Sequence, residues 1–168
     1  MERLDYILYD KIGSLINMAL VKAVKPDVTL TDVTVINKGI IRAFKYNYGI
    51  EGIILDVDET LRKEFKNIPK CNTDWLEMLR GELKVAVVSN GWSEAMQKFF
   101  EQKNIDYFTL AFKPLKRNFL RACQKMDLPP EKVMVIGNDL FSDIYGGKRS
   151  KMKTALVTKV KDDDHDER

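Results

Sequence analysis

An α/β fold is predicted, doubly wound around a mostly parallel five-stranded sheet, and three observations carry the prediction. Five short apolar runs recur at residues 52–57, 84–89, 107–112, 132–137 and 154–158, each rich in Val, Ile, Leu or Phe. Helix-compatible stretches at 74–80, 93–103, 114–126 and 143–151 separate them. Polar or glycine residues bound every run. Strands that alternate with helices form βα units, and βα units build parallel sheets.

The composition is compatible with such a fold. The chain has 168 residues, 45% hydrophobic and 32% charged. That is one domain, able to bury about 70% of its unfolded surface without a disulfide or a structural metal. Cys71 and Cys123 lie far apart with no ligand-spaced partner, which argues against a disulfide framework or a zinc site and for a reduced, cytoplasmic setting. No apolar run approaches the roughly 20 residues of a membrane span. The opening Met-Glu-Arg-Leu-Asp lacks the basic flank of a signal peptide. The formal charge of +3 divides into −3 on the tail at 161–168 and +6 on the rest. A body that basic attracts anions, and charge alone leaves nucleic acid, anionic membrane and phosphorylated small molecules open.

In chain order, residues 1–24 place Leu4, Ile7, Leu8, Ile12, Leu15, Ala19 and Ala23 near helical spacing, the pattern of an amphipathic helix packed on the domain. A helix lying on a membrane is the alternative, weakened because Lys11, Lys22 and Lys25 make only a sparse basic face. Pro26 ends this helix, residues 28–34 alternate in a β-like way, and 37–48 read as a second helix. The five βα runs follow, and a disordered acidic tail is expected at 161–168. His165 stands alone in that tail and is expected to be solvated. Trp75 and Trp92 read equally as packing anchors or rim residues.

In an open parallel sheet, ligands bind outside the carboxyl ends of the strands, so the residues just after each run bear on function. The first run ends Ile54-Leu55-Asp56-Val57-Asp58-Glu59-Thr60. Two carboxylates one residue apart share a face of the strand. Their repulsion is costly unless a partner neutralises it, and a hard divalent cation is the simplest one. The alternative is that the pair caps a following helix. The second run ends Val88-Ser89-Asn90-Gly91, a hydroxyl and a turn whose backbone N–H groups suit an anion, although Ser-Asn-Gly is also a plain turn. The third ends Phe112-Lys113-Pro114, with one ammonium at the sheet edge. The fourth ends Gly137-Asn138-Asp139-Leu140-Phe141-Ser142-Asp143, bringing further oxygen ligands.

A carboxylate pair, a hydroxyl, a lysine and an acidic loop, in that order on successive strand ends, resemble the four motifs of the haloacid dehalogenase-like (HAD) superfamily. Within it the chain is most similar to YqeG-type, subclass IIIA phosphatases, a group that includes mitochondrial phosphatidylglycerophosphate phosphatases. The closer resemblance rests on Gly49 to Leu61, on Phe112-Lys113-Pro114, and on Ser142-Asp143-Ile144-Tyr145-Gly146-Gly147 running into Lys153 to Val157. It implies a Rossmann-like, HAD-like catalytic domain at 25–160.

The resemblance also implies roles. Asp56 is the expected nucleophile, forming an aspartyl-phosphate, and Asp58 the expected general acid and base. Magnesium (Mg2+) is the expected cofactor, held by Asp56, the Asp58 backbone carbonyl and an oxygen of the fourth motif. Ser89 and Lys113 are expected to grip the phosphoryl oxygens, with the Asn90 and Gly91 amides assisting. Thr60 orders the turn, and Asp143 fixes Lys113 or a metal-bound water. The family's common fourth motif has aspartate directly after the glycine. Here that position is Asn138, with Asp139 shifted by one, and either residue is a candidate metal ligand.

Within that superfamily an aspartate at the position of Asp58 implies phosphatase or phosphomutase chemistry, and a mutase needs a cap domain. Only about 28 residues separate Asp58 from the second strand end, and about 23 separate Ser89 from Lys113, so a capless enzyme is expected. Without a cap, the substrate itself must exclude water. A phosphorylated substrate that is bulky or surface-presented is therefore expected, phosphatidylglycerophosphate foremost, with anionic phospholipid and not nucleic acid as the partner. Arg62, Lys63, Lys66, Lys116, Arg117, Lys148 and Arg149 lie near the expected mouth and suit an anionic interface, which places the protein in the cytoplasm or peripherally at an inner membrane surface. A soluble phosphomonoester, a phosphoprotein and a catalytically weak binding descendant are the alternatives.

Overall fold

The computed structural model describes Leu15, Ala19 and residues 23–161. Most of the expected first helix and of the acidic tail, His165 included, falls outside these residues. Leu15, Ala19 and Ala23 are helical and exposed.

Among the residues described from 24 onward there are six strands and five α-helices, in order: β1 (Val28–Leu30), α1 (Lys38–Tyr48), β2 (Gly52–Leu55), α2 (Lys70–Arg80), β3 (Lys84–Val88), α3 (Glu94–Gln102), β4 (Asp106–Phe108), α4 (Lys116–Met126), β5 (Val133–Gly137), α5 (Gly146–Arg149) and β6 (Lys153–Val157). The strand order is β1-β6-β5-β2-β3-β4, and every pairing is parallel. The five expected strands are present. A sixth, β1, is a correction to that count. It comes from the β-like alternation at 28–34 and pairs with β6 at the sheet edge.

Local chemistry sets several boundaries. The Asn37 side chain accepts a hydrogen bond from Ile40 N at 3.0 Å and starts α1. Gly49, at φ 67°, ends α1 in the left-handed conformation that glycine adopts without a Cβ penalty. Ser93 Oγ accepts from Met96 N at 3.1 Å and starts α3.

Alternation along the strands builds a core on each face of the sheet. Ile53, Leu55, Val87, Met134 and Ile136 meet Phe44, Trp75, Leu76, Leu79 and Phe100 from α1, α2 and α3. Ile54, Ala86, Val88, Val133 and Val135 meet Phe119, Ala122, Cys123 and Met126 from α4. Burial pushes the Cys123 thiol up to about 11, so it serves packing rather than reactivity. Trp75 is an anchor, its Nε1 donating to Ile36 O at 2.9 Å, whereas Trp92 is 60% exposed.

Two segments differ from the sequence reading. The third run was expected to be a strand through residue 112, but β4 stops at Phe108. Beyond it Leu110 (φ 46°) and Phe112 (φ 51°) take left-handed backbone conformations, which turn the chain away from the sheet. The helix expected at 143–151 divides into a π-helical turn, Leu140–Tyr145, and the short α5. Between β2 and β3 lie a loop and α2, and between β3 and α4 lie α3 and β4. Among the described residues no separate cap domain interrupts the sheet.

Candidate active site

The sheet places the site. β2 lies between β5 and β3, and strand succession runs outward in opposite directions from the β2–β5 boundary, leaving a crevice at the carboxyl ends. Leu55 is in register with Val87 and Ile136, so Asp56 leaves the sheet level with the ends of both neighbours. Its backbone N donates to Ile136 O at 3.0 Å, which continues the ladder one residue further and fixes the carboxylate.

Each oxygen of Asp56 has its own surroundings. Oδ1 accepts from Lys113 Nζ at 2.7 Å. Oδ2 accepts from the Thr60 hydroxyl at 3.2 Å. Lys113 also donates to Asp143 Oδ1 at 2.5 Å, so one buried ammonium bridges two carboxylates. Burial alone would lower its pKa. The charges of Asp143 and Asp56 outweigh that and hold Lys113 above its ordinary value. Asp143, wholly buried, is pushed up to about 7 by burial, with Lys113 opposing.

The fourth loop delivers Asp143 through a close approach. A Cβ on Gly137 would lie 2.3 Å from Asp143 Cγ, so only glycine leaves room for that carboxylate. Asp143 Oδ2 accepts from Asp139 N at 3.1 Å. Asp139 Oδ1 in turn accepts from Ser142 N (2.6 Å) and Ser142 Oγ (2.8 Å), capping the π-helical turn. Asp139 is thus engaged locally, and it is Asn138 that meets Asp56.

Asn138 bears directly on the fit of a cation. Its amide end lies 3.2 Å from Asp56 Oδ2 and 3.3 Å from the Asp58 carbonyl oxygen. With the NH2 group turned there it donates to both. With its oxygen turned there, three oxygens converge with only the Thr60 hydroxyl, 3.2 Å from Asp56 Oδ2 and 3.4 Å from Asn138 Oδ1, to donate among them, a set that a hard divalent cation stabilises. Among the described residues no cluster of three His, Cys, Asp or Glu side chains forms a metal site. The oxygens that fit one are a carboxylate, a backbone carbonyl and an amide.

Asp58 is partly exposed and is gripped by Arg62, whose Nε donates to Oδ1 at 2.8 Å. Arg62 Nη1 donates to Lys66 O at 3.0 Å, tying the pair to the loop after β2. Arg62 was expected among the surface cations. It is buried, so it serves Asp58 instead. A Cβ on Gly91 would lie 3.5 Å from Asp58 Oδ2, so the glycine turn after β3 passes beside the second aspartate.

Ser89 is buried at the end of β3. Its Oγ accepts from Gly91 N at 3.2 Å, and its backbone is held by Phe108 O (2.9 Å) and Ala111 N (3.1 Å). Asn90 Oδ1 accepts from Lys113 N at 2.7 Å and fastens the lysine loop to the serine loop. Asp56, Asp58, Thr60, Ser89, Asn90, Gly91, Lys113, Asn138 and Asp143 therefore converge on one crevice. Tyr107 on β4 joins them unforeseen. It hydrogen-bonds the Ser89 side chain, and burial, with Asp58 nearby, raises its phenol above the ordinary value. Its only sequence signal was a polar-tipped aromatic two residues short of the alignment of Ser89, visible once Val87 is paired with Tyr107.

Comparison with known proteins agrees with this geometry. Residues 51–151 match the family of haloacid dehalogenase-like hydrolases. The chain is 34% identical over 117 residues to "Probable phosphatase YqeG" of Bacillus subtilis, covering 68% of each chain. It is 26% identical over 98 residues to "Glyceraldehyde 3-phosphate phosphatase" of Pyrococcus furiosus, covering 53% of this chain and 41% of the other. Among solved structures, an uncharacterized protein from Listeria monocytogenes superposes with a TM-score of 0.54 at 17% identity, over 69% of this chain and 84% of that one, a likeness of fold.

Proposed function

The chain belongs to the haloacid dehalogenase-like hydrolase family, and from that premise we propose that it hydrolyses phosphomonoesters through an aspartyl-phosphate on Asp56. The observation that carries the reading is the division of labour at Asp56. One oxygen is held by Lys113 at 2.7 Å and the other faces Asn138 at 3.2 Å, so the carboxylate is oriented from both sides.

The chemistry follows from these residues. An Asp56 oxygen forms a bond to phosphorus as the ester P–O bond breaks, and Asp58 gives its proton to the leaving oxygen. Asp58, now ionised, takes a proton from water, whose oxygen attacks phosphorus, releases phosphate and restores Asp56. Lys113 stabilises phosphoryl charge in a buried setting where water competes weakly. Ser89 Oγ accepts from Gly91 N and so has its own proton free for a phosphoryl oxygen or for Tyr107. Asp143 acts at one remove by fixing Lys113. Asp56, the Asp58 carbonyl and the Asn138 amide oxygen would hold a divalent cation, magnesium, which supplies charge neutralisation at the phosphoryl group.

The substrate in this reading is a bulky or surface-presented ester such as phosphatidylglycerophosphate, and the protein is peripheral to the membrane. What supports this is that, among the described residues, no cap domain covers the strand ends, so that the substrate itself would exclude water there. Among the described residues no helix is long and apolar enough to cross a membrane. A soluble substrate is the second reading, favoured by the relative described as a glyceraldehyde 3-phosphate phosphatase. Phosphate release with magnesium from phosphatidylglycerophosphate micelles, triose phosphates, nucleotides and phosphopeptides separates the two. Preference for the lipid is expected; equal or better turnover of a soluble ester refutes the lipid assignment.

A further inference from the structure

We infer that the rim of the crevice is a docking surface for an anionic lipid bilayer, into which its apolar side chains insert. Phe65, Trp92, Leu110, Phe112 and Leu115 are each more than half exposed, from 55% at Leu115 to 89% at Phe65. All five lie in the loops that follow β2, β3 and β4, three adjacent strands, and so surround one mouth of the sheet. Most large apolar side chains elsewhere are buried in the two cores. Single exposed apolar residues need no explanation, but several gathered at one end of a molecule mark an interaction site.

Phe65, Leu110 and Phe112 are held outward by left-handed backbone at φ 62°, 46° and 51°, which bulky L side chains rarely adopt. Strain retained to keep apolar groups in water points to a use for them there. The occupant follows from charge. Residues 109–117 contain no acid, Lys113 among them is buried against Asp56 and Asp143, and Lys116 and Arg117 are exposed beside Leu115. In the loop after β2, exposed Glu59 and Glu64 balance exposed Lys63 and Lys66 around Phe65, so the positive bias of the rim lies at Lys116 and Arg117. Two copies meeting rim to rim would oppose these cations. An anionic bilayer satisfies them while its acyl region takes the apolar side chains. Docking in this way would also seal the capless crevice against the surface that presents the ester, so the inference deepens the lipid reading above and rests on it.

Trp92 is a built-in reporter, because Trp75 is buried and bonded within the core. The full-length chain, as wild type and as Asp56→Asn, is titrated with vesicles of phosphatidylcholine alone and with about a third phosphatidylglycerol. Neither vesicle contains a phosphomonoester, so docking is read independently of catalysis and of the lipid-substrate assignment. Binding to the anionic vesicles is expected for both proteins, with a blue shift and quenching of emission by brominated acyl chains. The quenching should vanish in Trp92→Phe. Phe65→Ser combined with Leu110→Ser should weaken partitioning about tenfold or more and leave turnover of a soluble aryl phosphate unchanged. Absence of vesicle binding overturns the inference. Binding with Trp92 emission unmoved, as anchoring through another segment would give, also overturns it. So does concentration-dependent self-association that buries Trp92 or a phosphopeptide that shifts its emission without lipid.

Discussion

Lys113 Nζ stands 2.7 Å from Asp56 Oδ1 and 2.5 Å from Asp143 Oδ1, a single buried cation bridging the end of β2 and the loop after β5. Removing it leaves two carboxylates in a dry site without compensation. Lys113→Met is expected to lower kcat by about 10²-fold or more and stability by about 3–5 kcal/mol. Steady-state kinetics and urea unfolding check both, and wild-type kcat in a folded variant would contradict the assigned role.

The same cation sets a pH dependence whose sign is definite. Its folded pKa is raised above the unfolded value of about 10.4. The stability it contributes is therefore fully present below about pH 10 and is lost as pH rises through the folded value. The stability difference between wild type and Lys113→Met should stay flat from about pH 8 to about pH 10. A difference that shrinks across that window would mean that Lys113 loses its proton there.

Asn138 carries the clearest departure from the family pattern. With its NH2 group turned to Asp56 and the Asp58 carbonyl it stabilises the metal-free protein, and with its oxygen turned there it gives only a neutral ligand. Asn138→Asp should reverse that balance. In EDTA the variant is expected to be about 1–2 kcal/mol less stable, because two carboxylates then face each other. Its magnesium affinity should rise about tenfold or more, read as a larger magnesium-induced increase in Tm. Equal melting of the two proteins with and without magnesium would show that residue 138 does not face the cation.

Arg62 is expected to position Asp58. Without the 2.8 Å bond from its Nε, the Asp58 carboxyl loses its aim toward the leaving oxygen. Arg62→Gln should slow alkyl phosphate esters about tenfold and aryl phosphates less, because an aryl oxide leaves with little need of a proton. Equal losses on both would place Arg62 in loop stability alone.

The strand-end residues were legible in the sequence because a parallel sheet sends every carboxyl end to one side, so Asp56, Ser89, Lys113 and Asn138 needed only their order to be associated. The division of the core between Ile53 on one face of the sheet and Ile54 on the other was not assigned from the sequence and follows from strand alternation. Contacts made across strands were not legible. Tyr107 reaches Ser89 only through the β3–β4 register, and Arg62 reads as one more basic residue until the turn after β2 folds it onto Asp58. The apolar pattern at 107–112 was misleading for a physical reason: Leu110 and Phe112 have the composition of a strand but are exposed at the rim, and hydrophobicity alone does not distinguish a buried position from an exposed one. Asp139 was an equal candidate to Asn138 until its carboxylate was found capping Ser142.

The most direct test of the central claim is to trap the intermediate. Enzyme in excess over a labelled aryl phosphate is quenched in acid within a single turnover, and the digested peptides are analysed by mass spectrometry. The label is expected as an acid-stable, hydroxylamine-labile acyl phosphate on Asp56, absent from Asp56→Asn. Label on another residue, or phosphate release by Asp56→Asn at the wild-type rate, would contradict the account.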